Sequence, residues 1–416
     1  MTSNPIETSR CSTRLPLGVY LLAFSLFAMG SAEFLLAGVL PAVATDLEVP
    51  LSSAGFLITS FALGVVVGGP PFAVLSLRWP RRSALIATQG VFAASVAAGL
   101  VGNYEVLLLS RVISGVAYAG FFAIASVTAI SLVTPDRNAR ASGVIVSGLS
   151  VAIVAGGPAG TLLSHFTQWR GGFWAVIALT LTGIVGCLIG IPAADTGSRS
   201  TTQPSVSREL ATIRTPRLWG IYGITILTTA AYMITFNYLA AMLADITGIP
   251  AVWIPAILAL FGIGAFAGLS VGGRISDRRP HVALLSGTVA ILILSVIMVI
   301  AIHHSWAVIL TVFLLGIAAF VLNPAIYGRV FAIAGDAPTL AGAMTVSAFQ
   351  LGISCTPVLA AAALTRGTSL TWVSVIGAVL AAIAVPLVLI DRTRLEADIT
   401  PDKTTTTRPT TSRTSQ

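Results

Sequence analysis

Long apolar runs, set off by breaks that carry charge, Pro, Asn or Gly, dominate the chain. About 20 consecutive apolar residues suffice for a helix to cross the hydrocarbon of a bilayer. On that measure the pattern predicts twelve spans, at 16–40, 51–76, 83–102, 106–132, 141–164, 172–192, 218–243, 251–273, 282–302, 306–328, 341–364 and 370–390. A polar break at 193–217 divides them six and six. Residues 1–15 form a polar N-terminal tail, and the run that follows is too long to be a cleaved leader. The Thr-, Pro- and Arg-rich stretch at 392–416 is expected to be a disordered tail. The expected fold is therefore all-α, with two six-helix halves (16–192 and 218–391) joined by the 193–217 linker.

Composition agrees with a membrane chain. Of 416 residues, 56% are hydrophobic and only 9% charged, against about 25% charged in soluble domains, and the mean hydropathy is +0.93. The lipid bilayer is thus the expected partner. Cys11, Cys187 and Cys355 have no ligand-like spacing and read as free thiols.

The formal charge of +8 raises nucleic-acid binding, which needs a basic patch on a folded surface. Topology explains the charge instead, because basic residues collect in cytoplasmic loops. With both termini cytoplasmic, 20 of the 23 Lys and Arg fall inside, only Arg170 and Arg366 fall outside, and Arg111 lies within a span. Acidic residues lie outside at Asp46, Glu48, Glu105 and Asp245, while Glu33 lies within a span. No nucleic-acid partner is needed.

The two halves repeat, as expected of folds whose helices arose by duplication. Gly18-Val19-Tyr20 opens the first span and Gly220-Ile221-Tyr222 the seventh; at the same offset Phe34 aligns with Phe236. Arg78-Trp79-Pro80-Arg81-Arg82 follows the second span, and Arg274-Ile275-Ser276-Asp277-Arg278-Arg279 the eighth. Gly156-Gly157-Pro158 interrupts the fifth span and Cys355-Thr356-Pro357 the eleventh. Such a repeat points to two halves facing a shared midplane cavity.

Glu33 and Arg111 are the only Asp, Glu, Lys or Arg residues within spans, and charge in hydrocarbon is costly enough to imply a function. Measured from the expected span ends, both lie roughly 8–9 Å below the outer boundary. A proton-coupled carrier needs a buried carboxylate tuned by a nearby cation, so that it loads and releases protons in the working range. Glu33 fits the carboxylate and Arg111 the cation. The alternative is a structural ion pair fixing two helices.

Arg111, Gly115, Tyr118 and Phe122 share one helix face, which an arginine turns toward the bundle interior, so Tyr118 and Phe122 are candidates for a cavity wall. Tyr232, Asn237, Tyr238, Asn323 and Gln350 are further candidate substrate contacts, since polar side chains in hydrocarbon face protein or a cavity. Packing is the competing role for each. Gly148, Gly156, Gly157, Pro158 and Gly160 imply a bent helix closely sealed to its neighbour. Gly264, Gly268 and Gly272 form a small-residue stripe suited to helix packing.

No enzyme signature survives inspection. Gly268-Leu269-Ser270-Val271-Gly272 has a nucleophile-elbow spacing but lies within an apolar helix without a histidine partner. His165, His281, His303 and His304 fall in loops or at span ends, so no metal cluster is expected. There is no GxxxxGK[ST] loop for ATP.

The sequence resembles the major facilitator superfamily over 16–391, and within it the drug:proton antiporters. Met29-Gly30-Ser31-Ala32-Glu33-Phe34 through Pro41 and Asp46-Leu47 is similar to the first-helix signature of that group. Leu107-Leu108-Leu109-Ser110-Arg111 with Gly115 resembles the fourth-helix motif whose arginine is implicated in proton coupling, and Gly156-Gly157-Pro158-Ala159-Gly160 the fifth-helix antiporter motif. The first cytoplasmic loop departs from the family pattern, with Ala73, Leu77 and Pro80 at the usual Gly, Asp and Gly, but keeps Arg78, Arg81 and Arg82. The second loop keeps Gly273, Arg274, Asp277, Arg278 and Arg279. Leu75 to Leu85 resembles the chloramphenicol-resistance exporters.

The resemblance implies a monomeric plasma-membrane antiporter that exports a phenicol antibiotic in exchange for protons, driven by the proton gradient and using no cofactor. The alternatives are an exporter of sugars or purine nucleosides with the same fold, or, in another class, a non-transporting receptor.

Overall fold

The computed structural model describes residues 15–75, 79–134, 137–192, 214–276, 278–335, 338–364 and 369–399. Arg78 and Asp277 of the two loop motifs, most of the 193–217 linker, and the 1–14 and 400–416 ends lie outside them. Every regular element among the described residues is helical, as hydrocarbon demands of a chain that must satisfy its own backbone hydrogen bonds.

The first six helices are α1 (Leu17–Asp46), α2 (Leu51–Leu75), α3 (Arg81–Val101), α4 (Tyr104–Ser131), α5 (Asn138–Val151) and α6 (Gly157–Gly190). The last six are α7 (Pro216–Asp245), α8 (Ile254–Ser276), α9 (Pro280–Ala301), α10 (Ser305–Ala334), α11 (Pro338–Leu364) and α12 (Thr371–Ile399). Some ends have evident causes. The Asn103 side chain caps α4 by accepting from the Val106 N–H at 3.0 Å, and Pro50 and Pro80 immediately precede α2 and α3.

Eleven stretches among the described residues are long and apolar enough to cross a membrane, one fewer than the twelve expected spans. The difference lies in Gly143–Gly190, a continuous stretch of 48 residues. It runs through α5, a π-helical turn at Ala152–Gly156, and α6. Its helical path breaks at Thr167 and Gln168, where Gln168 has φ 64° and ψ 166°, between the two spans expected at 141–164 and 172–192.

Three helices outrun the expected spans. α1 continues past residue 40 to Asp46, with Pro41 inside it, and α10 continues past residue 328 to Ala334. α12 reaches Ile399, so residues 392–399 of the expected disordered tail are helical. Their Arg, Leu, Glu and Ala content favours helix. Just before them Asp391 is held by Arg329 of α10, whose fork donates to both carboxylate oxygens at 2.8 and 3.0 Å.

Packing repeats with a shift of six. In the first set α1 packs on α5 and α6, α2 on α4, and α3 on α4 and α6. In the second α7 packs on α11 and α12, α8 on α10, and α9 on α10 and α12. The sets meet through α2 with α11, through α8 with α6 and the π turn, and through α1 with α7. The Thr59 hydroxyl donates to the Ser354 carbonyl at 3.0 Å across the first of these contacts. At the far end of α1, Asp46 accepts from the Trp169 indole at 3.0 Å and from Arg170 at 2.6 Å, while Arg170 also donates to the Leu100 carbonyl. Large apolar side chains such as Leu109, Ile189, Ile300 and Leu310 point outward, as a lipid-facing surface requires.

Candidate functional site

Glu33 lies in the middle of α1 and is 8% exposed. Its Oε2 accepts from Nε2 of Gln350, in the middle of α11, at 3.4 Å. This side-chain hydrogen bond joins residues 317 apart in sequence and spans the contact between the two sets of helices. Oε1 of Glu33 and Oε1 of Gln350 are both buried without a hydrogen-bond partner.

Arg111 is 3% exposed. No ion pair joins it to Glu33: its Nε donates to the Leu57 carbonyl of α2 at 3.4 Å, its guanidinium lies over the Phe61 ring at 4.5 Å from the centroid, and one terminal nitrogen is unpartnered. The two charges still act on each other through space. Glu33 lies roughly 20 Å along α1 from its Asp46 end, and Arg111 about 10 Å from the Tyr104 end of α4, at 1.5 Å per residue.

Phe61 ties this region together. Arg111 stacks on it, and the Tyr118 ring lies 5.7 Å away. Tyr118, two turns beyond Arg111, is 2% exposed. Phe122, one turn further, is only partly buried and packs against the core. The shared face of Arg111, Gly115 and Tyr118 therefore points inward as expected, with Gly115 pressed against the Phe61 carbonyl.

Tyr232 is buried against Phe261 and Phe320, with centroids 6.5 and 6.0 Å away. Phe261 also meets Phe236 at 4.4 Å, and Phe236 meets Phe34 at 6.4 Å. An aromatic cluster thus adjoins the residue next to Glu33. Asn237 donates to the Thr356 hydroxyl at 2.8 Å, which occupies it in helix packing. The Tyr238 hydroxyl is fully buried beside Gly55 and unpartnered, and the Asn323 side-chain Oδ1 is also buried and unpartnered.

The fifth-span glycines pack on the helix that carries Glu33. Gly156 abuts Ser31, Gly157 abuts Phe34 and Gly160 abuts Leu35. Pro158 has no N–H to continue the α-helical ladder, and the chain widens just before it into the π turn. The widened turn meets α8, where a Cβ on Gly262 would come within 2.5 Å of the Val154 Cα. Of the loop motifs, Arg81 opens α3, Arg82 donates to the Leu188 carbonyl at 2.7 Å, and Arg278 is exposed.

Phe61 and Tyr327 were not among the expected site residues. Tyr327 packs against Phe349, the neighbour of Gln350, at 5.8 Å; it sat at the edge of its expected span, within a helix that continues to Ala334. A second repeat relates α2 to α8. Phe61-x2-Gly64-x3-Gly68 recurs as Phe261-x2-Gly264-x3-Gly268. Gly64 and Gly68 press on the α4 backbone at Val112 and Val116, and Gly264 and Gly268 on the α10 backbone at Phe313 and Ile317. That stripe is packing, as expected.

The residues fit a buried ionisable centre at the seam of a duplicated helical bundle. The sequence matches the Major Facilitator Superfamily over residues 22–357, and the chain belongs to that family. It is 39% identical over 355 residues to a chloramphenicol resistance protein of Streptomyces lividans, covering 85% of this chain and 91% of the relative. It is 30% identical over 368 residues to the inner membrane transport protein YdhP of Escherichia coli K12, covering 88% and 94%. Among solved structures, it resembles a bacterial homologue of the lysosomal transporter Spinster with a TM-score of 0.70 at 18% identity, over 91% of this chain and 97% of that one. It resembles the nucleoside transporter NupG with a TM-score of 0.71 at 15% identity, over 91% and 99%. The chain is a multi-pass integral membrane transporter, and its family is not enzymatic.

Proposed function

We propose that this transporter exports a phenicol antibiotic of the chloramphenicol type in exchange for protons, by alternating access between two six-helix halves. The break at Thr167–Gln168 within the Gly143–Gly190 stretch supports two crossings there and twelve in all; both termini are cytoplasmic in this reading, and the transporter works as a monomer. No cofactor takes part, and the proton gradient supplies the energy.

The observation that carries this reading is Glu33, a carboxylate buried at the contact between the halves, within the field of a buried arginine but not paired with it. When the cavity opens outward, Glu33 takes up a proton as drug leaves. When it opens inward, the proton passes to the cytoplasm and drug enters. Drug and proton favour different protonation states of one site, which couples their exchange. Arg111, held over Phe61, supplies the fixed positive field in which Glu33 works. The cluster of Phe34, Phe236, Phe261 and Tyr232 suits an aromatic substrate, and the 39% identical chloramphenicol resistance protein supports a phenicol.

Resistance and uptake in a drug-sensitive host test the substrate. Cells expressing the chain should hold less chloramphenicol than controls, and an uncoupler should abolish the difference. Unchanged accumulation of phenicols alongside reduced accumulation of a purine nucleoside or an arabinose-like sugar would transfer the reading to those substrates.

A further inference from the structure

Glu33 and Gln350 present an unfinished pair. One hydrogen bond joins them, from Nε2 of Gln350 to Oε2 of Glu33. The remaining oxygen of each group is buried without a partner, and the residues are 8% and 6% exposed. Two buried orphan acceptors on groups already in contact are costly. One proton relieves both. A protonated carboxyl has an O–H to donate, and a primary amide offers one donor and one acceptor on the same planar group. The two then join by reciprocal hydrogen bonds.

We infer that Gln350 is the positioning residue for the transported proton: protonated Glu33 donates from Oε1 to Oε1 of Gln350 while Nε2 of Gln350 donates back to Oε2, clasping α1 to α11 across the two halves. The proton comes from water when the site opens and no covalent bond changes. Loss of the proton leaves a single hydrogen bond and sets the two orphan oxygens against each other. The clasp is therefore tight when loaded and loose when unloaded, which gives protonation a direct hold on the separation of the halves. The inference rests on Glu33 being the proton carrier and adds the group that receives the proton's hydrogen bond.

Other groups around Glu33 leave this role to Gln350. Arg111 acts on it from α4 by charge alone, without a hydrogen bond. Tyr118 of α4 and Tyr232 of α7 are buried and make no hydrogen bond to it. Among the described residues, no other charged side chain acts on Glu33. Of all these groups, only Gln350 is hydrogen-bonded to the carboxylate.

Infrared difference spectroscopy of the full-length protein in lipid, stepped in pH, reads this directly. The protonated-carboxyl band that vanishes in Glu33→Gln should shift to higher wavenumber in Gln350→Leu, because its carbonyl loses a donor. Unsubstituted protein carrying glutamine labelled with carbon-13 at the side-chain carbonyl provides a check that needs no variant. Its difference spectrum should contain a labelled amide band that appears and disappears with the Glu33 band. A Glu33 band indifferent to Gln350, with no labelled amide band, would overturn the clasp and leave Glu33 as the carrier. No Glu33-dependent carboxyl band at any pH would overturn the clasp together with the coupling reading on which it rests.

Discussion

The Phe34 ring of α1 meets the Phe236 ring of α7 edge to face, with centroids 6.4 Å apart and planes at 69°. These are equivalent positions of the internal repeat. Glu33, next to Phe34 in the chain, is thus buried close to where the equivalent first helices of the two sets meet.

Phe236 also stacks on Phe261 at 4.4 Å, so it holds α1 and α8 to α7. Phe236→Ala is expected to destabilise the protein by about 3 kcal/mol or more, the usual cost of emptying a buried aromatic site. Thermal unfolding in detergent, followed by size-exclusion fluorescence, checks this. An unchanged melting temperature would mean that the ring does not bind the helices together.

The glycine stripe makes a sharper contrast. A side chain at Gly268 collides with the Ile317 backbone, which cannot swing aside, whereas nothing lies within 4 Å of a Cβ at Gly273. Overpacking typically costs about 1–3 kcal/mol, occasionally more. Gly268→Val should lower the yield of folded protein severely, while Gly273→Ala should leave it within error of wild type in the same expression assay.

Arg111 is held by the face of Phe61 and one backbone carbonyl. A desolvated cation–π contact is worth about 2 kcal/mol or more. Phe61→Leu should lower the melting temperature and reduce drug-driven proton flux. Arg111→Lys keeps the charge but loses the planar stack, and is expected to cut flux at least tenfold while protein level holds. Full flux in Arg111→Lys would show that charge alone suffices.

Between the ion pairs Arg329–Asp391 and Arg170–Asp46, the first is the better buried, with side chains 12% and 16% exposed against 31% and 40%. Exposed pairs contribute about 0–1 kcal/mol, and removing one partner of a buried pair costs more. Arg329→Ala should therefore destabilise the protein more than Asp46→Ala. Paired melting curves decide the order.

Much of this was legible in the sequence because hydrocarbon imposes length and polarity rules that a single chain reports directly. Glu33 and Arg111 stood out as charges where none is cheap, and the offset linking Phe34 to Phe236 gave the duplication. What escaped was azimuth and reach. Nothing in the spacing says that Glu33 turns toward Gln350 while Arg111 turns toward Phe61, because both facts depend on how four helices rotate against each other. Helix ends escaped for another reason. Polar residues near a membrane surface can continue a helix without entering hydrocarbon, as Asp46 does at the end of α1 and residues 392–399 do in α12. The Phe61 and Phe261 glycine motifs were visible in principle, and aligning the halves at an offset of 200 would have paired α2 with α8.

The most direct test of the central claim is proton release from energised everted vesicles, followed with a pH-sensitive dye as chloramphenicol is added, for wild type and Glu33→Gln at equal protein level. The account predicts dissipation of the gradient by wild type and none by the variant. Equal dissipation by Glu33→Gln would contradict it, since coupling would then run through another group.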